Sequence, residues 1–150
     1  MANAFVQQAA QSAQGHGNPE QEQSALDFEA YRTRIEPIFL KKRKGGVRCY
    51  DCHSILATRL RLQPLPPGGA SWTEDQSRRN FEAVSHLVAP SNPLKSRLLL
   101  HPLAPQAGGD PIHTGGKFWT SQDDPEWKMI ADWIRPSSPG PPAAQVASRP

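Results

Sequence analysis

Five consecutive residues, Cys49-Tyr50-Asp51-Cys52-His53, concentrate most of the chemistry open to this sequence. Two thiols three positions apart on a turn of helix can each add to one vinyl group of a haem, with the adjacent His53 beneath the iron as proximal ligand. C-x-x-C-H is the attachment sequence of haem c, and it uses both cysteines of the chain. Other chemistries compete for the same residues. A thioredoxin-like pair needs a βαβ context, and no segment alternates as a strand would. A zinc-binding module could take Cys49 and Cys52, yet there is no second C-x-x-C, and His101 and His113 are not at zinc-finger spacing. A plain disulfide or a chance match completes the set.

The elements that must position this motif read as helices. Phe28, Tyr31, Ile35 and Ile38/Phe39 step by three and four, one face of a helix that precedes the motif. Pro37 calls for a kink or a restart in a first turn, and Lys44-Gly45-Gly46 for an end. Thr73-Glu74-Asp75-Gln76 has the form of a capping box, opening a helix with Phe81, Val84 and Val88 inward and Pro90 as its stop. A short helix follows Asn92-Pro93, with Leu94 and Leu98 on one side and Pro102 after it. The last runs from Asp124-Pro125 to Ile134, with Trp127, Ile130, Trp133 and Ile134 inward. The expected class is all-α, about four helices and no sheet, with the first and last helices packed together.

Composition sets the limits. Only 37% of the 150 residues are hydrophobic, and mean hydropathy is −0.62, so the apolar supply is modest. No stretch reaches the ~20 apolar residues that cross a bilayer. Residues 1–24 read as a disordered lead-in, 25–135 as one domain, and 136–150 as a Pro-rich flexible tail. The loops at 54–70 and 101–123 are long for so small a domain, unless a large apolar group such as haem completes the core between them. Positive charge gathers in residues 28–62, where nine bases face three acids and Lys41, Lys42, Arg43 and Lys44 are contiguous. No aromatic residue interleaves with that run, so nucleic acid is not the expected partner.

The chain resembles a monohaem class I c-type cytochrome, and is most similar to the planctomycete/acidobacterial-type cytochrome c domains. The resemblance covers about residues 27–135. Phe28 to Phe39 resembles the family's first helix, and Asn92-Pro93-Leu94-Lys95-Ser96-Arg97-Leu98-Leu99 resembles its G-[DN]-P-x-x-S-x-L segment, with Ser91 where Gly is usual. His113-Thr114-Gly115-Gly116 resembles a His-x-Gly-Gly loop, and Trp127 to Ile134 the final helix. One departure is the basic Gly-Gly run before Cys49, longer than in most relatives. The resemblance implies a class I cytochrome c fold around one covalent haem c and single-electron transfer rather than enzymatic turnover.

It also implies a distal ligand from the loop before the last helix. Methionine is usual there, but Met1 is terminal and Met129 sits inside a helix beside packing residues. Among the histidines, His16 lies in the lead-in, His86 in mid-helix and His101 at a helix end. His113 occupies the expected loop and matches the family pattern, giving an expected bis-His iron with His101 or Met129 as alternatives. An open iron site would instead make the protein a haem enzyme or gas sensor. Expected partners are redox proteins with an acidic docking surface, or the subunits of a membrane electron-transfer complex. Covalent haem attachment in this family occurs outside the cytoplasm, so the expected location is periplasmic or otherwise extracytoplasmic, although no signal peptide is visible.

Overall fold

A computed structural model describes residues 26–135. The expected lead-in and tail, with Met1 and His16, lie outside the described residues. Asp27 caps the first helix, α1 (residues 28–40), its carboxylate accepting from Ala30 N–H at 3.0 Å. α1 changes pitch midway: Phe28–Ala30 is α-helical, Tyr31–Ile35 widens into a π-turn, and Glu36–Leu40 is α-helical again. Pro37 falls at the start of the restarted segment, where its missing N–H costs little. α2 (Cys49–His53) carries the motif, and α3 (Glu74–Ser85) opens on the expected box, Thr73 and Gln76 each bonding the other's backbone N–H. α4 (Arg97–Leu100) and α5 (Pro125–Ile134) follow, with short 3₁₀ turns at Pro93–Lys95 and Pro105–Ala107. Among the described residues there is no sheet, only one isolated bridge between Leu103 and Trp119.

Three expectations shift. α1 stops at Leu40, four residues early, because Lys41 and Arg43 turn back to ion-pair with Glu126 on α5 at 2.6 and 2.5 Å. The helix expected after Pro93 is split at Ser96, whose hydroxyl accepts from Ala89 N–H, so Leu94 is exposed while Leu98 and Leu99 are buried. α3 ends at Ser85, which leaves Val88 beyond it, and its inward face includes polar Ser77 and Asn80.

The first and last helices pack as expected. Tyr31 and Trp133 lie 5.7 Å apart between ring centroids, and both meet Phe81 of α3 edge-on. Trp133 Nε1–H also donates to Asp27 O at 2.9 Å, joining the start of α1 to the end of α5. Ile35, Ile130 and Ile134 fill the space beneath these rings. Glu36 is buried here too; Ser77 Oγ donates to its Oε1 at 2.8 Å, while Oε2 has no partner. Burial pushes its carboxyl above the usual range, against the opposing pull of Ser77 and Arg32.

Two measurements check this packing. Trp133→Ala should cost about 3–5 kcal/mol in urea denaturation, since it empties a buried site and removes the hydrogen bond to Asp27; a loss near zero would place the ring at the surface. Because Glu36 holds its proton more tightly folded than unfolded, it should lose the protein stability as pH rises from about 4.3 towards the folded-state value. Glu36→Gln should therefore show a flatter fall in stability over that range, and parallel profiles for the two proteins would contradict the assignment.

Candidate haem-binding site

α2 brings Cys49, Cys52 and His53 to one cavity of about 330 Å³. α1 contributes Ile38 and Phe39 to its walls, α4 contributes Leu98, and the long loop contributes Phe118 and Trp119. His101, at the end of α4, and His113 also line it, and among the described residues no Asp or Glu does. The helix that presents the thiols is capped by Asp51, which accepts from Arg48 N–H at 2.8 Å and from its guanidinium at 2.7 Å. The hydrogen bonds from Arg48 hold the Asp51 carboxyl below its usual range. The two thiols are not joined to each other. Burial pushes the Cys49 thiol up to about 11, with Arg43 nearby pulling the other way.

The orientation of two imidazoles follows from backbone carbonyls. His53 Nδ1 lies 2.9 Å from Leu60 O and 2.9 Å from the Thr58 hydroxyl, while His113 Nδ1 bonds Gly116 O. A carbonyl can only accept, so Nδ1 carries the proton in each ring and Nε2 keeps its lone pair. Burial is the largest cause holding both rings below the ordinary histidine range, which favours the neutral, ligating form. The two rings are nearly parallel, 16° between planes, with centroids 6.3 Å apart. His101 crosses His113 edge-on at 4.7 Å, its Nδ1 2.9 Å from Asp110 Oδ2. Lys117 braces this corner by donating to the carbonyls of His101 and Asp110.

Of the residues singled out in the sequence, Cys49, Cys52, His53, His113 and His101 therefore share one cavity. Met129 does not: it is exposed on α5 and lines no part of it. His86 is likewise exposed, at the end of α3, outside the cavity. Sequence reasoning missed the carbonyls of Leu60 and Gly116, because every residue has one and nothing in the side chains marks these two. It also missed Asp110 and Arg59, which belong to no motif, and Arg97, which falls at a variable position of the 92–99 segment.

A thiol pair beside a neutral imidazole and apolar walls fit a haem, and the lining arginines suit its propionates. No family model matches this sequence, and neither a curated protein nor a solved structure matches it. The Cys49-x-x-Cys52-His53 spacing is that of haem c attachment. It marks one covalently bound haem c. The all-helical architecture around it is consistent with a monohaem c-type cytochrome of class I type. Among the described residues no group of three or more His, Cys, Asp or Glu side chains is arranged to hold a metal ion by itself.

Replacing Cys49 and Cys52 together by Ser should abolish covalent haem, read as loss of the pyridine haemochrome band from denatured protein. The fold should weaken with it, because the cavity walls lose their common partner. Gly109 tests the loop that carries Asp110 and His113: a Cβ there would meet Leu103 O at 2.0 Å, so the backbone must move. Gly109→Ala should lower stability by more than ~1 kcal/mol.

Proposed function

We propose that this chain transfers single electrons through one haem c, with His53 and His113 as its two axial ligands and no substrate chemistry of its own. The observation that carries this reading is the pair of parallel rings 6.3 Å apart, each with its Nδ1 turned away to a carbonyl. Two neutral imidazoles at this separation, each with Nε2 left free, could hold one metal ion between them. When bound, the haem supplies the one-electron ferric/ferrous couple. The chain's part is to hold both imidazoles neutral and aimed, and to exclude water with Ile38, Phe39, Leu98 and Trp119. The likeness to planctomycete/acidobacterial-type domains at His113-Thr114-Gly115-Gly116 supports the same ligand. His/His ligation should give a lower potential than His/Met ligation.

A redox protein with an acidic surface is the partner we infer, met either by a free carrier or within a membrane electron-transfer complex. Lys42 and Lys44 support this, being exposed on the loop that leads into α2 and making no ion pair with another described residue. Lys41 and Arg43 are already paired with Glu126. An extracytoplasmic location follows from the attachment chemistry of the family resembled. An enzyme or gas sensor is the second reading, favoured by the short 113–116 turn that carries the distal ligand, with Gly116 at φ +89°.

Carbon monoxide separates the two. The reduced protein should not bind it, and the ferric spectrum should be low-spin. His113→Ala should open the sixth position, giving a high-spin ferric spectrum and carbon monoxide binding, whereas His101→Ala should leave the spectrum unchanged. If His101→Ala is the variant that turns high-spin, the ligand assignment is wrong; carbon monoxide binding to the unaltered protein would favour the sensor or enzyme.

A further inference from the structure

Charge inside the haem cavity is one-sided. Arg48, Arg59 and Arg97 line it and, among the described residues, no carboxylate does. Arg48 is neutralised by Asp51. The neighbouring guanidinium of Arg61 is also occupied, donating to Ile55 O and Leu56 O at 3.0 and 2.9 Å. Arg59 and Arg97 differ: neither side chain makes an ion pair or hydrogen bond with another described residue, and both are exposed. They come from separate elements. Arg59 lies in the loop after α2, next to Thr58 and Leu60, which fix His53. Arg97 is the first residue of α4, followed directly by cavity-lining Leu98.

An apolar cavity edged by two unpaired guanidiniums suits a ligand with a flat apolar body and two carboxylates. We propose that Arg59 and Arg97 are positioning residues that each take one propionate of the haem, so that the cofactor ties the 54–62 loop to α4. The inference rests on the haem reading above. Guanidinium is the fitting group, because its fork meets a carboxylate with two parallel hydrogen bonds where an ammonium offers a point charge. Both are exposed residues of a cavity whose lining also includes apolar Leu98 and Trp119, so it could take up a propionate at either guanidinium without burying the charge.

The test uses haem-loaded protein carrying Arg59→Gln, Arg97→Gln or both, with Arg61→Gln as control. Each single variant should shift the propionate bending band in resonance Raman spectra and lower the reduction potential, because a nearby cation that favours the ferrous state is gone. The double variant should do both to a larger extent, and Arg61→Gln should do neither. Arg97→Lys should recover much of the potential but not the Raman band, separating charge from the bidentate fork. An unchanged band and potential in the double variant, with covalent haem still present by pyridine haemochrome, would overturn the pairing alone. If unaltered protein matured in the presence of haem shows no haemochrome, the haem reading falls and the pairing falls with it. Should the double variant fail to mature, the single variants and Arg97→Lys decide by the same two readouts.

Discussion

An imidazole offers a metal only one nitrogen once the other is bound, and in this protein a backbone carbonyl binds the other in two rings at once. Leu60 O holds His53 and Gly116 O holds His113. Those carbonyls are themselves held. Leu62 N–H returns to His53 O at 2.9 Å, and Gln63 N–H reaches Asn80 Oδ1 on α3 at 2.7 Å, so the chain after the motif is fastened at both ends. On the other side, Ala104 N–H and Phe118 N–H clamp the neck of the loop to Trp119 O and Pro102 O. The site geometry thus depends on hydrogen bonds that no side-chain pattern announces.

The packing of the helices explains why the cavity lies where it does. Tyr31, Phe81 and Trp133 form one aromatic cluster that consumes the bulky apolar residues on the far side of α1. One or two turns later, Ile38 and Phe39 are buried yet also line the cavity. Ile38, Phe39, Leu98 and Trp119 thus belong to the same core as the aromatic cluster while also facing the cavity. The two long loops contribute Leu60, His113 and Phe118 to the lining of that cavity, and a large apolar cofactor there would add to the surface they can bury.

Charge is divided between structure and surface. The contiguous basic run looks uniform in sequence, but Glu126, with its side chain only 14% exposed, draws Arg43 and Lys41 onto α5. Arg43 then lies over the Phe118 ring, 5.4 Å from its centroid, against the cavity wall. These ion pairs make the run a strap across the last helix, with Lys42 exposed between its two anchors and Lys44 exposed just beyond them.

Local chemistry made several features legible from sequence alone. Cys49, Cys52 and His53 announce their role by spacing, since thioether attachment and ligation need only one helical turn. Helices with strong caps and clean periodicity were equally readable: Thr73 with Gln76, and Asp124 before the stripe of Trp127, Ile130 and Ile134. Tertiary structure decided what depends on distant partners. It stopped α1 at Leu40 through Glu126, exposed Leu94, turned Met129 to solvent and placed His101 beside His113. It also left Arg59 and Arg97, both lining the cavity, without an ion pair or hydrogen bond to another described residue. Each of these outcomes turns on a contact between segments far apart in the chain, whereas periodicity and spacing report only on neighbours within a turn or two.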